Sequence, residues 1–475
     1  MKKKLIKLSL IIIALISFSC DDLLDVTIRS SITGEIFWQT ENDFNPYVTG
    51  IYARLRSHMD NFAFSEDRGE MWKQGYNARF SDYWAHKITP ANTGDWTSFY
   101  GTIGHCNLLL EKIEPFAFNN TANKNRIKAE ALAQRAFTYF YLAKIWGDVP
   151  LVLKSVVDEK EPLYERTPVA DVFKQINTDI DLALSLFPEA GYVDKYRFSK
   201  PAVYALKADV KMWTAKVLNG GATDLNAAIA AISEVESSGV ALQSTYASVF
   251  DSRKNGEIIF SMYLNRSEYT SSAYTNCLLR FDTSAGADNA SELPMSLVGQ
   301  QAYVLSPEAL ALFAKFPADK RIARTYIPEI MKGVTKNYWP NKFIGTKYSD
   351  DRVPDSDFII YRLSDMLLLK AEAYAALNQI DNALLNLNKV RTRAGIPAFT
   401  ETSKALVEKE ILDERGRELF NEMKRWWDLV RAHKSGVVDI YQYIPNLKGK
   451  TTPIYWAVHV NVMAKNSKLV QTQGY

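Results

Sequence analysis

The stretch Tyr361–Gly395, YRLSDMLLLKAEAYAALNQIDNALLNLNKVRTRAG, decides the architecture of this chain. Two runs rich in Leu and Ala carry apolar residues at helical spacing, and the polar segment Asn378-Gln379-Ile380-Asp381 interrupts them as a turn. The pattern predicts two helices folded back on one another. Ala371, Ala373, Ala376 and Ala383 are small enough to let those helices approach closely.

The same design recurs upstream. Lys124–Trp146 (KNRIKAEALAQRAFTYFYLAKIW) is Ala-rich with a helical apolar period and stops at Gly147, with Pro150 just beyond. Thr167-Pro168 opens the next helix, with a hydroxyl at the N-cap and Pro at the first helical position. Ile176, Ile180 and Leu184 then share one face, and Pro188 ends it. Ser199 opens a third helix that closes at Asn219-Gly220-Gly221, and Asp224 opens a fourth that closes at Gly239. Such pairs resemble tetratricopeptide-type (TPR) hairpins, although they lack a fixed period and most consensus positions. The expected fold is mainly α: a TPR-like scaffold of helical hairpins (an α-α superhelix) with long irregular loops and a few short strands. One strand is expected at Glu257–Tyr263. From Leu264 to about Asp357 the chain is aromatic and poorly periodic, and so long a segment inside a domain is usually functional.

The N-terminus reads as an address. Leu8 to Ser19 is far shorter than the about 20 apolar residues of a membrane span. With Lys2, Lys3, Lys4 and Lys7 in front, it fits an export signal, and Cys20 follows small Ser19 at the cleavage point. Residues 1–19 are therefore expected to be a signal peptide, and 20–475 one domain. Within it, 20–250 form an N-terminal helical part and 251–475 a loop-rich insert and C-terminal helical part, with no linker tract between. The chain holds 57 Lys+Arg against 54 Asp+Glu, and four of those lysines lie in the signal, which leaves the mature chain one acid ahead. No nucleic-acid partner follows from that balance. Beyond Cys20 only Cys106 and Cys277 remain, free to pair or stay reduced and too few to build a fold. Stability must come from a core, which a chain with 47% hydrophobic residues can supply.

Catalytic signatures are missing from the sequence. The five histidines His58, His86, His105, His433 and His459 show no H-E-x-x-H spacing, and there is neither a G-x-S-x-G elbow nor a G-x-x-x-x-G-K-[ST] loop. Glu414 and Glu418 stand four apart on one helical face among Arg415, Arg417 and Arg425, which favours a structural charge network over an acid/base pair. Asp350, Asp351, Asp355 and Asp357 lack the order and the Gly of an EF-hand and read as a polar loop. No enzyme, cofactor or metal is expected.

Stretches along nearly the whole chain resemble the SusD/RagB family of outer-membrane lipoproteins: LLDVT (23–27), FWQTENDFNPYVTGIYARLR (37–56), WTSFYGTIGHCNLLLEKI (96–113), AEALAQRAFTYFYLAKIWGDVPLV (129–152), RTPVADVFKQINTDIDLAL (166–184), the hairpin quoted above, ERGRELFNEMKRWWDLVR (414–431) and QTQGY (471–475). Ile16–Cys20 likewise resembles a relaxed lipobox, in which Cys20 is acylated. The chain departs from the family pattern at Gly416, at Trp456-Ala457-Val458-His459 and at Asn466-Ser467. The resemblance implies a protein tethered to the outer membrane through lipid on Cys20 and facing outward, as the Asp21-Asp22 pair behind the Cys also suggests. Such a protein captures a glycan without altering it and delivers it to a TonB-dependent β-barrel of the SusC type. A peptide ligand and a TPR-type protein-interaction adaptor at the envelope are the alternatives.

Capture of a sugar calls for flat amphipathic rings with polar edges, which Trp and Tyr provide. In Met71–Trp84 the aromatics are interleaved with Gly, Asn, Arg and Asp, and the family often places one wall of its pocket there. Trp72, Arg79, Tyr83 and Trp84 are therefore the candidates for that wall. An extended backbone would point Tyr83 and Trp84 to opposite faces and expose at least one of them. For the opposite wall the insert supplies Tyr274 and Trp339, with Tyr269, Arg280 and Tyr338 as further candidates. Trp96 and Tyr100 read as packing residues.

Overall fold

A computed structural model describes residues 37–76, 80–156 and 162–475. The signal peptide, Cys20 and Arg79 lie outside the described residues. Those described fall into two units. In residues 37–43, a 3-10 turn spans Glu41–Asp43, and the Asp43 carboxylate accepts the Thr40 N–H at 2.6 Å. The other unit, residues 44–475, is the helical body.

Its N-terminal block is built from α1 (Phe44–Met59), α2 (Thr97–Ile113), α3 (Thr121–Trp146), α4 (Val169–Leu186), α5 (Lys200–Val217) and α6 (Gly221–Glu236). Consecutive members pack on each other, most closely α3 on α4 and α5 on α6. α3 starts three residues before the expected Lys124, because Asn120 caps it by accepting the Asn123 N–H, and it ends at Gly147 with φ +73°. It is central enough that nearly every residue from Ile127 to Trp146 is buried. Two expected starts shift. At α4 the Thr167 backbone pairs with Val149, Pro168 takes the cap position, and the Asp148 carboxylate accepts the Val169 N–H at 2.7 Å. The cap thus comes from a residue distant in sequence. α6 begins at Gly221, with Asp224 in its first turn paired to Lys211 at 3.0 Å.

The hairpin first read from sequence is α7 (Leu363–Ala376) and α8 (Ile380–Ala394), joined through Asn378 at φ +60°. α7 also packs on α6, and this contact joins the C-terminal block to the N-terminal one. α9 (Lys404–Glu418) and α10 (Arg425–Lys434) complete the body. The chain end then returns to α3, where the Trp146 indole N–H donates to Ala457 O at 3.2 Å and the Trp456 N–H to Ile145 O at 2.8 Å. Cys106 and Cys277 are both free and buried.

Between the blocks lies the insert, built of short strand pairs. β1 (Trp72–Gln74) pairs antiparallel with β3 (Tyr303–Leu305), and β2 (Ile258–Met262) with β8 (Phe358–Arg362). Two hairpins stand between them, β4 (Tyr326–Met331) with β5 (Val334–Pro340) and β6 (Thr346–Lys347) with β7 (Arg352–Val353). The β2–β8 pair closes the insert at its base.

Behind that base is a buried ion network. Arg362 contacts Glu257, Glu418 and Glu422, and Arg321 contacts Asp319, Glu414 and Glu418. Arg391 and Arg417 each meet Glu410 and Glu414, Arg393 meets Glu257 and Glu418, and Lys342 meets Glu422. The surrounding arginines hold the Glu418 carboxyl well below the usual carboxylate range despite its burial, and Glu414 is lowered in the same way. Gly416 fits this packing. A Cβ there would lie 3.0 Å from Nη1 of Arg425, the guanidinium that crosses the helix to reach Glu70. The helix cost of Gly, ~1 kcal/mol relative to Ala, is offset by room for that ion pair.

Candidate functional site

Gly75 brings the Met71–Trp84 stretch and the insert together. Its N–H donates to Ala302 O at 2.8 Å, and a Cβ on it would sit 1.9 Å from Gln301 O, so only glycine allows the approach. The junction orients the aromatic candidates differently from the expectation. Trp72 is 2% exposed, its indole N–H donates to Glu66 at 3.1 Å, and it packs on Phe420 and Tyr303. Tyr274 is stacked on Phe343 at 4.8 Å and touches Phe62 and Phe358. Trp339 is fully buried and donates to Glu329 at 3.0 Å. These three are core residues and not walls of a ligand platform. β5 runs from the surface into the interior, exposed at Val334–Lys336 and buried at Trp339 and Pro340, so Trp339 lies at its inner end while Tyr338 stays half-buried against Tyr326.

Tyr83 and Trp84 are placed otherwise. The backbone from Ser81 to Lys87 is a run of turns, with Ala85 N–H to Ser81 O at 3.1 Å and Lys87 N–H to Asp82 O at 2.8 Å. The extended-strand argument therefore does not apply, and both rings are half-buried. Trp84 stacks on Phe80 at 4.3 Å and 10°, and its indole N–H donates to Trp72 O at 3.2 Å. Tyr83 stacks on buried Trp456 at 4.5 Å, with its phenol pushed up to about 12 by burial. The turn is fixed from below, because buried Asp67 accepts the hydroxyls of Ser81 and Tyr303. Each ring is held rigidly with part of its surface open, as stacking on a ligand requires.

Sequence reasoning passed over the most exposed ring of the stretch. Tyr76 is 42% exposed, lies 5.9 Å from Trp339 and donates to Glu329 at 2.7 Å. Its signal was the preceding Gly75, which turns the chain outward. A cleft of about 340 Å³ opens between Ala290–Leu297 and the β6–β7 hairpin, with Phe281 and Leu297 exposed on its edge. Tyr348 lines it, under the Arg266 guanidinium at 4.8 Å. Leu293 and Met295 of this cleft pack in the same small core as Trp339, so cleft and Tyr76 share one support. Of the remaining candidates, Tyr269 donates to Asp60 at 3.0 Å, while Arg280 pairs with Asp282 at the surface.

The acidic loop is engaged in ordinary structural contacts. Asp350 pairs with Arg266, Asp351 accepts Leu297 N–H, Asp355 accepts Thr346 N–H and the Tyr348 hydroxyl, and Asp357 meets Arg253 and Tyr196. Among the described residues no group of three or more His, Cys, Asp or Glu side chains is arranged to hold a metal. Glu414 and Glu418 belong to the ion network, in contact with arginines on every side.

Comparison with known proteins points one way. Residues 22–212 match the family described as "Starch-binding associating with outer membrane", and residues 319–475 match the SusD family. SusD-like protein P38 of Formosa agariphila is 26% identical over the full length of both chains. A SusD superfamily protein of Bacteroides fragilis superposes with a TM-score of 0.81 at 24% identity, over 92% of this chain and 100% of its own. A laminarin-binding SusD-like protein superposes at 0.76 and 22% identity, over 92% and 100%.

The burial pattern predicts two classes of substitution. Trp339→Ala should cost about 3–5 kcal/mol of stability as a core truncation, and Trp84→Ala no more than about 1.5 kcal/mol. Denaturant unfolding of both variants checks this, and equal losses would count against the division into core and surface rings.

Proposed function

The chain belongs to the SusD/RagB family, and on that premise we propose that it is a non-catalytic glycan-binding lipoprotein of the outer membrane that hands its ligand to a SusC-like TonB-dependent transporter. The observation that carries the binding half is the set of partly open rings at Tyr76, Phe80, Tyr83 and Trp84, with the Phe281–Tyr348 cleft resting on the same small core as Tyr76. Each ring can cover the C–H face of a pyranose, while neighbours such as Gln74 and Asp82, both exposed, can reach its hydroxyls. Arg79, three residues after Tyr76 in sequence, is proposed as a further polar contact. The family's starch-binding description and the laminarin-binding relative support a polysaccharide as the ligand.

Tethering and delivery rest on sequence and family. Cys20 behind the basic, short apolar leader is the proposed lipid site, and several acyl chains, at about 0.8 kcal/mol per buried methylene, anchor a protein firmly. The outward-facing domain is then residues 20–475, and the barrel supplies the passage.

Binding is tested by calorimetry against a panel of polysaccharides that includes laminarin and starch, with peptides as a comparison arm. Trp84→Ala should lose about 1–3 kcal/mol of binding, roughly tenfold to a hundredfold in affinity, while melting near wild type. Normal melting with normal binding would place the site elsewhere. Metabolic labelling with palmitate tests the anchor: Cys20→Ala should abolish labelling and membrane partition together, and retained labelling would refute lipidation at Cys20.

A further inference from the structure

A second cleft, of about 390 Å³, opens between the helical turn Ser248–Asp251, one face of the β2–β8 pair and the backbone at 343–346. It is distinct from the surface described above. The β6–β7 hairpin separates the two: Thr346 lines this cleft and Lys347–Arg352 line the other.

The lining sets the chemistry. Three acids, Asp251, Asp355 and Asp357, face three bases, Arg253, Lys254 and Arg324. The charges are neutralised locally: Arg253 pairs with Asp357 at 2.9 Å, Arg324 with Asp251 at 3.2 Å, and Lys254 with Asp194 outside the cleft at 2.9 Å. The Asp355 carboxylate is occupied by Thr346 N–H and the Tyr348 hydroxyl. An anionic ligand would therefore find no unpaired base, and the one lining carboxylate without a cation, Asp355, already accepts two hydrogen bonds. Phe250, Phe343 and Ile359 give an apolar surface beside these polar groups. Two polar groups of the lining have no hydrogen-bond partner in the protein. One is the hydroxyl of Ser261, a residue 2% exposed, and the other is the buried Nε of Arg324. Buried donors left unpaired cost stability and call for an explanation.

We propose that this cleft binds a small, neutral, polyhydroxylated molecule of monosaccharide or disaccharide size. The apolar lining takes the C–H face of the ring, and the Ser261 hydroxyl and Arg324 Nε–H donate to its oxygens. The volume lies at the small end of the range of ligand sites, about 300–1,000 Å³, and suits one or two sugar rings. The site does not depend on the polysaccharide surface. The two are linked across the hairpin by the Tyr348 hydroxyl to Asp355 and by Arg352 Nη1 to Ile344 O at 3.3 Å.

The test is saturation-transfer NMR on the full chain in detergent, with glucose, galactose, mannose, xylose, maltose and myo-inositol as neutral probes and glucuronate and phosphate as anionic ones. At least one neutral probe should bind. Ser261→Ala should weaken it about tenfold without lowering the melting temperature, since the deleted hydroxyl has no protein partner. Ser252→Trp, at an exposed position on the rim, should abolish it and leave polysaccharide calorimetry unchanged. The proposal is overturned if no neutral probe binds, which would mean a cleft holding solvent only, if only the anions bind, or if neither substitution affects binding.

Discussion

Six cations and six carboxylates form one closed ion network behind the insert: Arg321, Lys342, Arg362, Arg391, Arg393 and Arg417 against Glu257, Asp319, Glu410, Glu414, Glu418 and Glu422. Withdrawing an ion from water costs several kcal/mol even after relaxation, so no member can be buried before its partners arrive. The partners come from separate parts of the chain. Glu257 stands just before β2 at the base of the insert, Asp319, Arg321 and Lys342 belong to the insert, Arg362 joins insert to α7, and the rest lie on or just after α8 and α9. The balance is thus met only when the insert and the C-terminal helices are in place together, and Glu257 ties them to the segment after α6 by accepting the Gln243 N–H at 2.9 Å. Packing between α6 and α7 joins the two blocks, and the network supplies the register of the insert.

That frame explains where the binding surface can be. The helices bury their apolar faces against each other and leave charged, solvated backs, whereas the loop at 71–86 and the insert are held at a few points. Gly75 against Gln301, Asp67 under Ser81, and Tyr76 on Glu329 fix the loop, while the small core around Trp339 fixes the insert. Aromatic rings anchored on such points keep an open face without being free to collapse inward. Trp339 against Tyr76 and the Trp72 carbonyl under the Trp84 indole help to keep the upper rings in position.

What the sequence discloses follows the range of the forces involved. Helices with local caps, such as α3 and α5, are legible to within a few residues, because Asn120 and Ser199 act on their own neighbours. The start of α4 is legible to within one residue, but its cap is not, since Asp148 lies some twenty residues away and on the far side of a bridge. The Glu414/Glu418 face reads correctly as a charge network, but nothing local identifies Arg321, Arg362 or Glu257 as its partners. The aromatic candidates fail for a related reason. A Trp in an irregular segment suits a core as well as a surface, and strand pairing across more than two hundred residues decides which way Trp72 points. Tyr83 and Trp84 were singled out as platform residues on an argument from extended backbone that the turn at 81–87 does not satisfy.

The network's role in joining the insert to the C-terminal block is tested most directly by unfolding Arg362→Met. Its side chain is similar in length, so the change removes charge and hydrogen bonds with little loss of volume. The account predicts a loss of about 3–5 kcal/mol, as for one partner removed from a buried ion group, with far-ultraviolet dichroism and Trp fluorescence reporting one coincident transition. A loss below about 1 kcal/mol, or two separate transitions in the wild-type protein, would contradict the claim that the balanced network makes the insert and the C-terminal block one cooperative unit.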